Sequence, residues 1–143
     1  MTKNVIISLT GLQYAVEEEE APIEVINFGQ YYKKGDKHYL LYEETDESGR
    51  ATKCRIKVSE KEMELQKRDR SNTRLLFLPG EEYLTGYETP YGSLLVGVNT
   101  HSLELYEEAE FLRATLKYGL DINGEKTGEC TLVLKVQSCE QSA

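Results

Sequence analysis

Residues 112–122, LRATLKYGLDI, set Leu112, Ala114, Leu116, Tyr118, Leu120 and Ile122 against Arg113, Thr115, Lys117, Gly119 and Asp121. This strict alternation matches the two-residue repeat of a strand with one face in a core and the other in water, and it does not match a helical repeat. Asn123-Gly124 follows at once, and both residue types tolerate the positive φ that a type I′ hairpin turn demands. In the returning segment 130–136, Cys130, Leu132, Leu134 and Val136 occupy alternate positions. A hairpin of this kind leaves a broad apolar face that further sheet must cover.

The same pattern recurs upstream. Thr52, Cys54, Ile56 and Val58 alternate with Lys53, Arg55, Lys57 and Ser59, and Met63, Leu65 and Lys67 alternate with Glu62, Glu64, Gln66 and Arg68. Gly35-Asp36 separates strands expected at 23–33 and 37–45, and Glu47-Ser48-Gly49 separates the latter from 51–58. Further strands are expected at 4–14, 73–78, 83–89, 93–99 and 101–106, while no window offers a capped helical face. Turn signals about 8–12 residues apart indicate an all-β sandwich or barrel. A meander of roughly 8–10 strands favours the barrel, because closure removes exposed edges. At 143 residues, 1–143 form a single domain that buries about 70% of its unfolded surface. The acidic run Glu17–Glu20 before Ala21-Pro22 reads as a solvated loop.

Net charge and cysteine usage bound the partners. A formal charge of −8 argues against a phosphate-tracking surface. The densest basic segment, Lys67, Arg68, Arg70 and Arg74, is interrupted by Asp69 and has no run of exposed aromatics beside it, so no nucleic-acid partner is expected. Cys54, Cys130 and Cys139 form neither a C-x-x-C pair nor an even disulfide framework, and with no signal peptide or membrane span legible at the N-terminus the expected location is the cytoplasm, with no membrane association.

Several pieces in order resemble the YwiB-like proteins of bacteria: Tyr42-Glu43-Glu44, Asn72-Thr73-Arg74-Leu75-Leu76-Phe77 with Gly80, Tyr87-Glu88-Thr89-Pro90-Tyr91-Gly92, Gly97-Val98-Asn99-Thr100, and Tyr118-Gly119-Leu120. The resemblance implies an antiparallel meander closed into a calycin-like barrel of the lipocalin or fatty-acid-binding-protein shape, and brings no established activity with it. Where such proteins tend to carry Arg-x-Gly, this chain has Lys67-Arg68-Asp69.

Within that frame the candidate site is the barrel interior. Glu88 faces solvent by its charge, which turns Tyr87 and Thr89 inward, while Tyr91 falls in a turn over Thr89–Gly92. Thr100 shares the parity of Leu94, Val96 and Val98, and Tyr118 that of Leu116 and Leu120. An apolar cavity with hydroxyls from Tyr87, Thr89, Thr100 and Tyr118 suits a small apolar or amphipathic ligand, whereas in a packed core the same hydroxyls bond to one another and to backbone groups at strand ends. Lys67 either turns inward and pairs with a carboxylate, such as Glu44 or a ligand's acid group, or lies at the strand end and reaches water.

Chemistry is harder to find. His38 and His101 have no ligand spacing, and neither a metal nor another cofactor is expected. A Cys-His nucleophilic pair, such as Cys54 with His38 across the 37–58 hairpin, is one reading, and a mid-strand Cys54 reads instead as an inert core thiol. Ser59, Ser71, Ser93 and Ser102 lack a G-x-S-x-G context, so an enzyme is not expected. Two functions remain: a ligand-binding barrel, or an interaction or structural module with a packed interior.

Overall fold

Ten strands follow one another along the chain: β1 (Asn4–Thr10), β2 (Glu24–Lys34), β3 (Lys37–Thr45), β4 (Ala51–Val58), β5 (Met63–Arg68), β6 (Thr73–Phe77), β7 (Glu82–Thr89), β8 (Gly92–Glu108), β9 (Phe111–Ile122) and β10 (Glu125–Ser138). The computed structural model describes residues 3–11, 24–45, 48–68, 73–89 and 92–139, with the side chains of residues 73 and 87–89 outside the description. The expected acidic loop at 17–20 and the turn residues Pro90 and Tyr91 therefore lie outside the described residues.

All pairings are antiparallel, in the order β6-β5-β4-β3-β2-β1-β10-β9-β8-β7. The meander is joined through its first and last strands, with Val5 opposite Ser138 and Leu9 opposite Leu134. The edges β6 and β7 are neighbours in sequence and come into contact, so the sheet curls into a nearly closed ten-stranded barrel with one seam. Backbone bonds from Gly80 to Thr100 and from Thr100 to Glu81 hold the 78–81 connection against β8 at one end of that seam.

Local chemistry explains the turns. Asn123 and Gly124 have φ of 51° and 86°, both positive as a type I′ turn requires. Gly35 has φ 65° and leads a two-residue turn between Lys34 and Lys37.

The expected strands 93–99 and 101–106 are one strand, β8. A bulge between Thr100 and Ser102 leaves His101 as the extra residue. One inserted residue reverses parity, so Val96, Val98 and Thr100 before it and Leu103 and Leu105 after it all turn toward the core. That reversal made a continuous strand look like two.

The interior is lined by one parity of every strand. Ile7, Leu40, Ile56, Met63, Leu112, Leu116, Leu132 and Leu134 are fully buried, each contributing about 1.5–3 kcal/mol of burial. Phe77 of β6 and Tyr118 of β9 meet with ring centroids 4.9 Å apart at 59°, a contact between strands that are not neighbours in the sheet.

Candidate functional site

The expected site residues fall at two levels of the barrel. Thr100 stands directly opposite Tyr118, and both are buried as expected from parity. Tyr118 stands opposite Cys130 across the β9–β10 pair, and its ring packs on Phe77. The Thr100 Oγ1 is buried with no hydrogen-bond partner.

Lys67 is at the other level. It sits four residues along β5 from Met63, the residue opposite Phe77, a separation of about 13 Å along a strand. Its Nζ lies 3.1 Å from Glu44 Oε1, the carboxylate named from the sequence, and both side chains are partly exposed at the barrel end. Lys67 thus combines the two readings left open: it pairs with a carboxylate, and it does so at the strand end. Backbone register sets Tyr87 opposite Leu94 and Thr89 opposite Gly92, and their side chains lie outside the described residues.

Cys54 is buried opposite Tyr42 and Lys67, whereas His38 is opposite Val58, so β3–β4 register separates the suggested Cys-His pair by four residues. Burial first, then the charge of Glu44, pushes the Cys54 thiol up to about 11. We expect Cys54 to escape alkylation by iodoacetamide at pH 8 in the folded protein and to react once denatured. Intact-mass analysis checks this, and rapid native labelling of Cys54 would contradict it.

At the opposite end, the Nδ1 of buried His38 lies 2.7 Å from the Tyr31 hydroxyl, within hydrogen-bond distance, and its Nε2 lies 3.4 Å from Glu107. Lys33 is 3.6 Å from the same carboxylate. Burial lowers the His38 pKa, outweighing the opposing pull of Glu107. Relative to an unfolded value of about 6.5, the lowered folded pKa gives stability that is present above it and lost as pH falls. Urea midpoints should therefore drop between about pH 7 and pH 5, and His38→Gln should flatten that drop. An unchanged slope in the variant would assign the pH dependence elsewhere.

The outer face of β1–β6 carries two features that sequence reading passed over. Phe28 is 73% and Ile26 59% exposed, beside Leu41 and a stacked pair, Tyr32 and Tyr39, with ring centroids 4.7 Å apart. Glu64, only 4% exposed, is held on this face by Arg55 Nη2 at 3.3 Å, Lys57 Nζ at 3.7 Å and the Arg74 Nε. Burial opposes ionisation of Glu64, yet these cations win and hold its pKa below the usual carboxylate value. The legible signal was parity: apolar residues occupy both faces of EVINFGQYYKK, and Glu64 shares its face with the cations of β4.

Among the described residues no group of three or more His, Cys, Asp or Glu side chains gathers to hold a metal ion, and no helix is long and apolar enough to cross a membrane. What the geometry defines is a nearly closed, ten-stranded antiparallel barrel of the YwiB-like kind. Residues 7–134 match the family described as a domain of unknown function, DUF1934, and the chain belongs to that family. It is 29% identical over 115 residues to the uncharacterized beta-barrel protein YwiB of Bacillus subtilis (strain 168), covering 78% of this chain and 80% of that one. The crystal structure of ywiB protein from Bacillus subtilis superposes with a TM-score of 0.75 at 22% identity, covering 96% of this chain and 93% of that one, and so shares the fold.

Proposed function

We propose that the chain is a non-catalytic interaction module of the cytoplasm, a rigid barrel that presents the outer face of β1–β4 to a macromolecular partner. The observation that carries this reading is Phe28, a large apolar side chain exposed at the middle of a strand and continuous with Ile26 and Leu41. Apolar surface of this kind on a sheet marks an interaction site rather than a core. The Phe77–Tyr118 contact between non-adjacent strands supports an interior filled by the protein's own side chains. Three cysteines outside any disulfide suit a reducing compartment.

The test is affinity capture with wild-type chain and with a chain carrying Ile26→Ser and Phe28→Ser, followed by a binding measurement on each purified partner. A partner that binds the double variant at least about tenfold more weakly supports the reading. Equal binding of every captured partner to both chains removes it.

One observation favours a second reading, a calycin-like interior holding a small apolar or amphipathic molecule: the buried Thr100 Oγ1 without a partner. A ligand oxygen would satisfy it. Native mass spectrometry of gently purified protein should then show a bound mass that Thr100→Val loses. In a packed interior, Thr100→Val instead raises stability by about 1 kcal/mol, because an unpaired hydroxyl has been removed.

A further inference from the structure

The meander assembles a surface that is scattered in sequence. On the outer face, Tyr32, Tyr39, Lys57 and Glu64 stand in one cross-strand row. The next row runs through Leu41, Arg55, Gln66 and Arg74. A third brings together Glu43, Lys53 and Arg68. Each row passes toward cations, and the first two begin on aromatic or apolar side chains. Within these three rows five cations face Glu43 and Glu64, with Glu62 a third carboxylate beside Lys57, in a chain whose net charge is −8. A whole-chain charge averages over local differences of this kind.

Lys53 and Arg68 stand directly opposite each other on β4 and β5. Like charges in that position cost stability, and an anion bridging them would reverse the cost. Glu64 meanwhile gathers Arg55 and Arg74 from either side, while Lys57 divides itself between Glu64 and Glu62, the latter at 3.2 Å. Lys53, Arg55 and Lys57 project from alternate positions of one strand, about 6.8 Å apart. Beside it, the Tyr32 and Tyr39 rings lie parallel within 5°, and Phe28 is open to solvent.

Deepening the interaction-module reading on which it rests, we propose that this face binds single-stranded nucleic acid, its phosphates along Lys53, Arg55 and Arg68 and its bases against Tyr32, Tyr39 and Phe28. Charge complementarity selects an anionic partner, and the exposed Phe28 ring with the outer side of the Tyr32–Tyr39 stack selects a strand with unpaired bases over an acidic protein or a lipid headgroup. The aromatic row supplies sequence-tolerant stacking, so binding is weakly selective among bases. Affinity falls as salt releases the phosphates from the cations.

The experiment is fluorescence anisotropy with labelled oligothymidylate and oligouridylate of about 12 nucleotides, at about 50 mM and about 200 mM salt. Wild-type chain should bind both, with affinity at least about tenfold lower at the higher salt. Lys53→Gln with Arg68→Gln should weaken binding at least about tenfold, with the fold checked by circular dichroism. Tyr32→Ala should also weaken binding, with the fold checked by circular dichroism. No binding at the lower salt, equal binding by the Lys53→Gln, Arg68→Gln variant, or binding only to phosphatidylglycerol vesicles would overturn the proposal. A captured protein partner that depends on Ile26 and Phe28 would in that event leave the interaction module standing, so the two failures are distinguishable.

Discussion

Phe77→Ala should cost about 3–5 kcal/mol of unfolding free energy, the range for removing a fully buried phenylalanine. Phe77 is fully buried on β6, a five-residue edge strand, opposite Met63 and against the Tyr118 ring. Truncation leaves a void bounded by β5, β6 and β9, and it removes an aromatic pair worth about 0.5–1.5 kcal/mol beyond its area. For a chain of this size the Tm should fall by more than about 10 °C. Phe28→Ala, on the solvent side, should stay within about 0.5 kcal/mol of wild type. Urea and thermal unfolding of both variants check the contrast. A loss below about 1 kcal/mol for Phe77→Ala would mean that the space around Tyr118 is not filled by protein, and would favour the ligand-binding interior.

The strands were legible because their two-residue repeat is a direct imprint of the pleat. Leu112 to Ile122 and Thr52 to Val58 were placed on the correct faces from parity alone, and the Asn123-Gly124 turn followed from the φ angles it needs. Register breaks were not legible. Nothing in the residues around His101 distinguishes a bulge from a turn between two strands, since both interrupt alternation in the same way. The cost of open edges favours closure but is the same wherever the seam falls. The seam falls between consecutive strands, β6 and β7, while the ends of the chain are joined through β1 and β10.

The candidate site was legible in part for the same reason. Thr100 and Tyr118 were assigned inward by parity and are buried opposite each other, and Glu44 was named as a partner for Lys67. Parity carries no depth, however. It could not show that Lys67 lies at the barrel end while Thr100 and Tyr118 lie beside Phe77. The outer face was missed because its rows run across strands: Tyr39, Lys57 and Glu64 are far apart in sequence and adjacent only once register is known. Phe28 was open to recognition, since a strand with apolar residues at both parities must leave one set in water or against a partner.

Gly29→Ala should destabilise the protein by about 3 kcal/mol, at the upper end for overpacking, and should weaken binding through the outer face as well. A Cβ at Gly29 would stand 2.4 Å from the Leu41 carbonyl oxygen, 2.8 Å from Ile7 Cδ1 and 3.1 Å from Tyr42 Cβ. The Ile7 contact can turn aside through a rotamer change. The carbonyl cannot, because it belongs to the backbone of β3, so β2 must shift away from β3 to admit even one methyl group. That shift spreads the ladder from Gly29–Tyr42 to Lys34–Lys37, on which the outward placement of Phe28 beside Leu41 and of Tyr32 against Tyr39 depends. The expected result is a lower Tm together with loss of oligonucleotide binding at a temperature where circular dichroism still reports a folded sheet. Phe28→Ala supplies the contrast, losing binding at near-constant Tm. If Gly29→Ala leaves both quantities at wild-type values, the close approach of β2 and β3 is not what holds the aromatic surface in place.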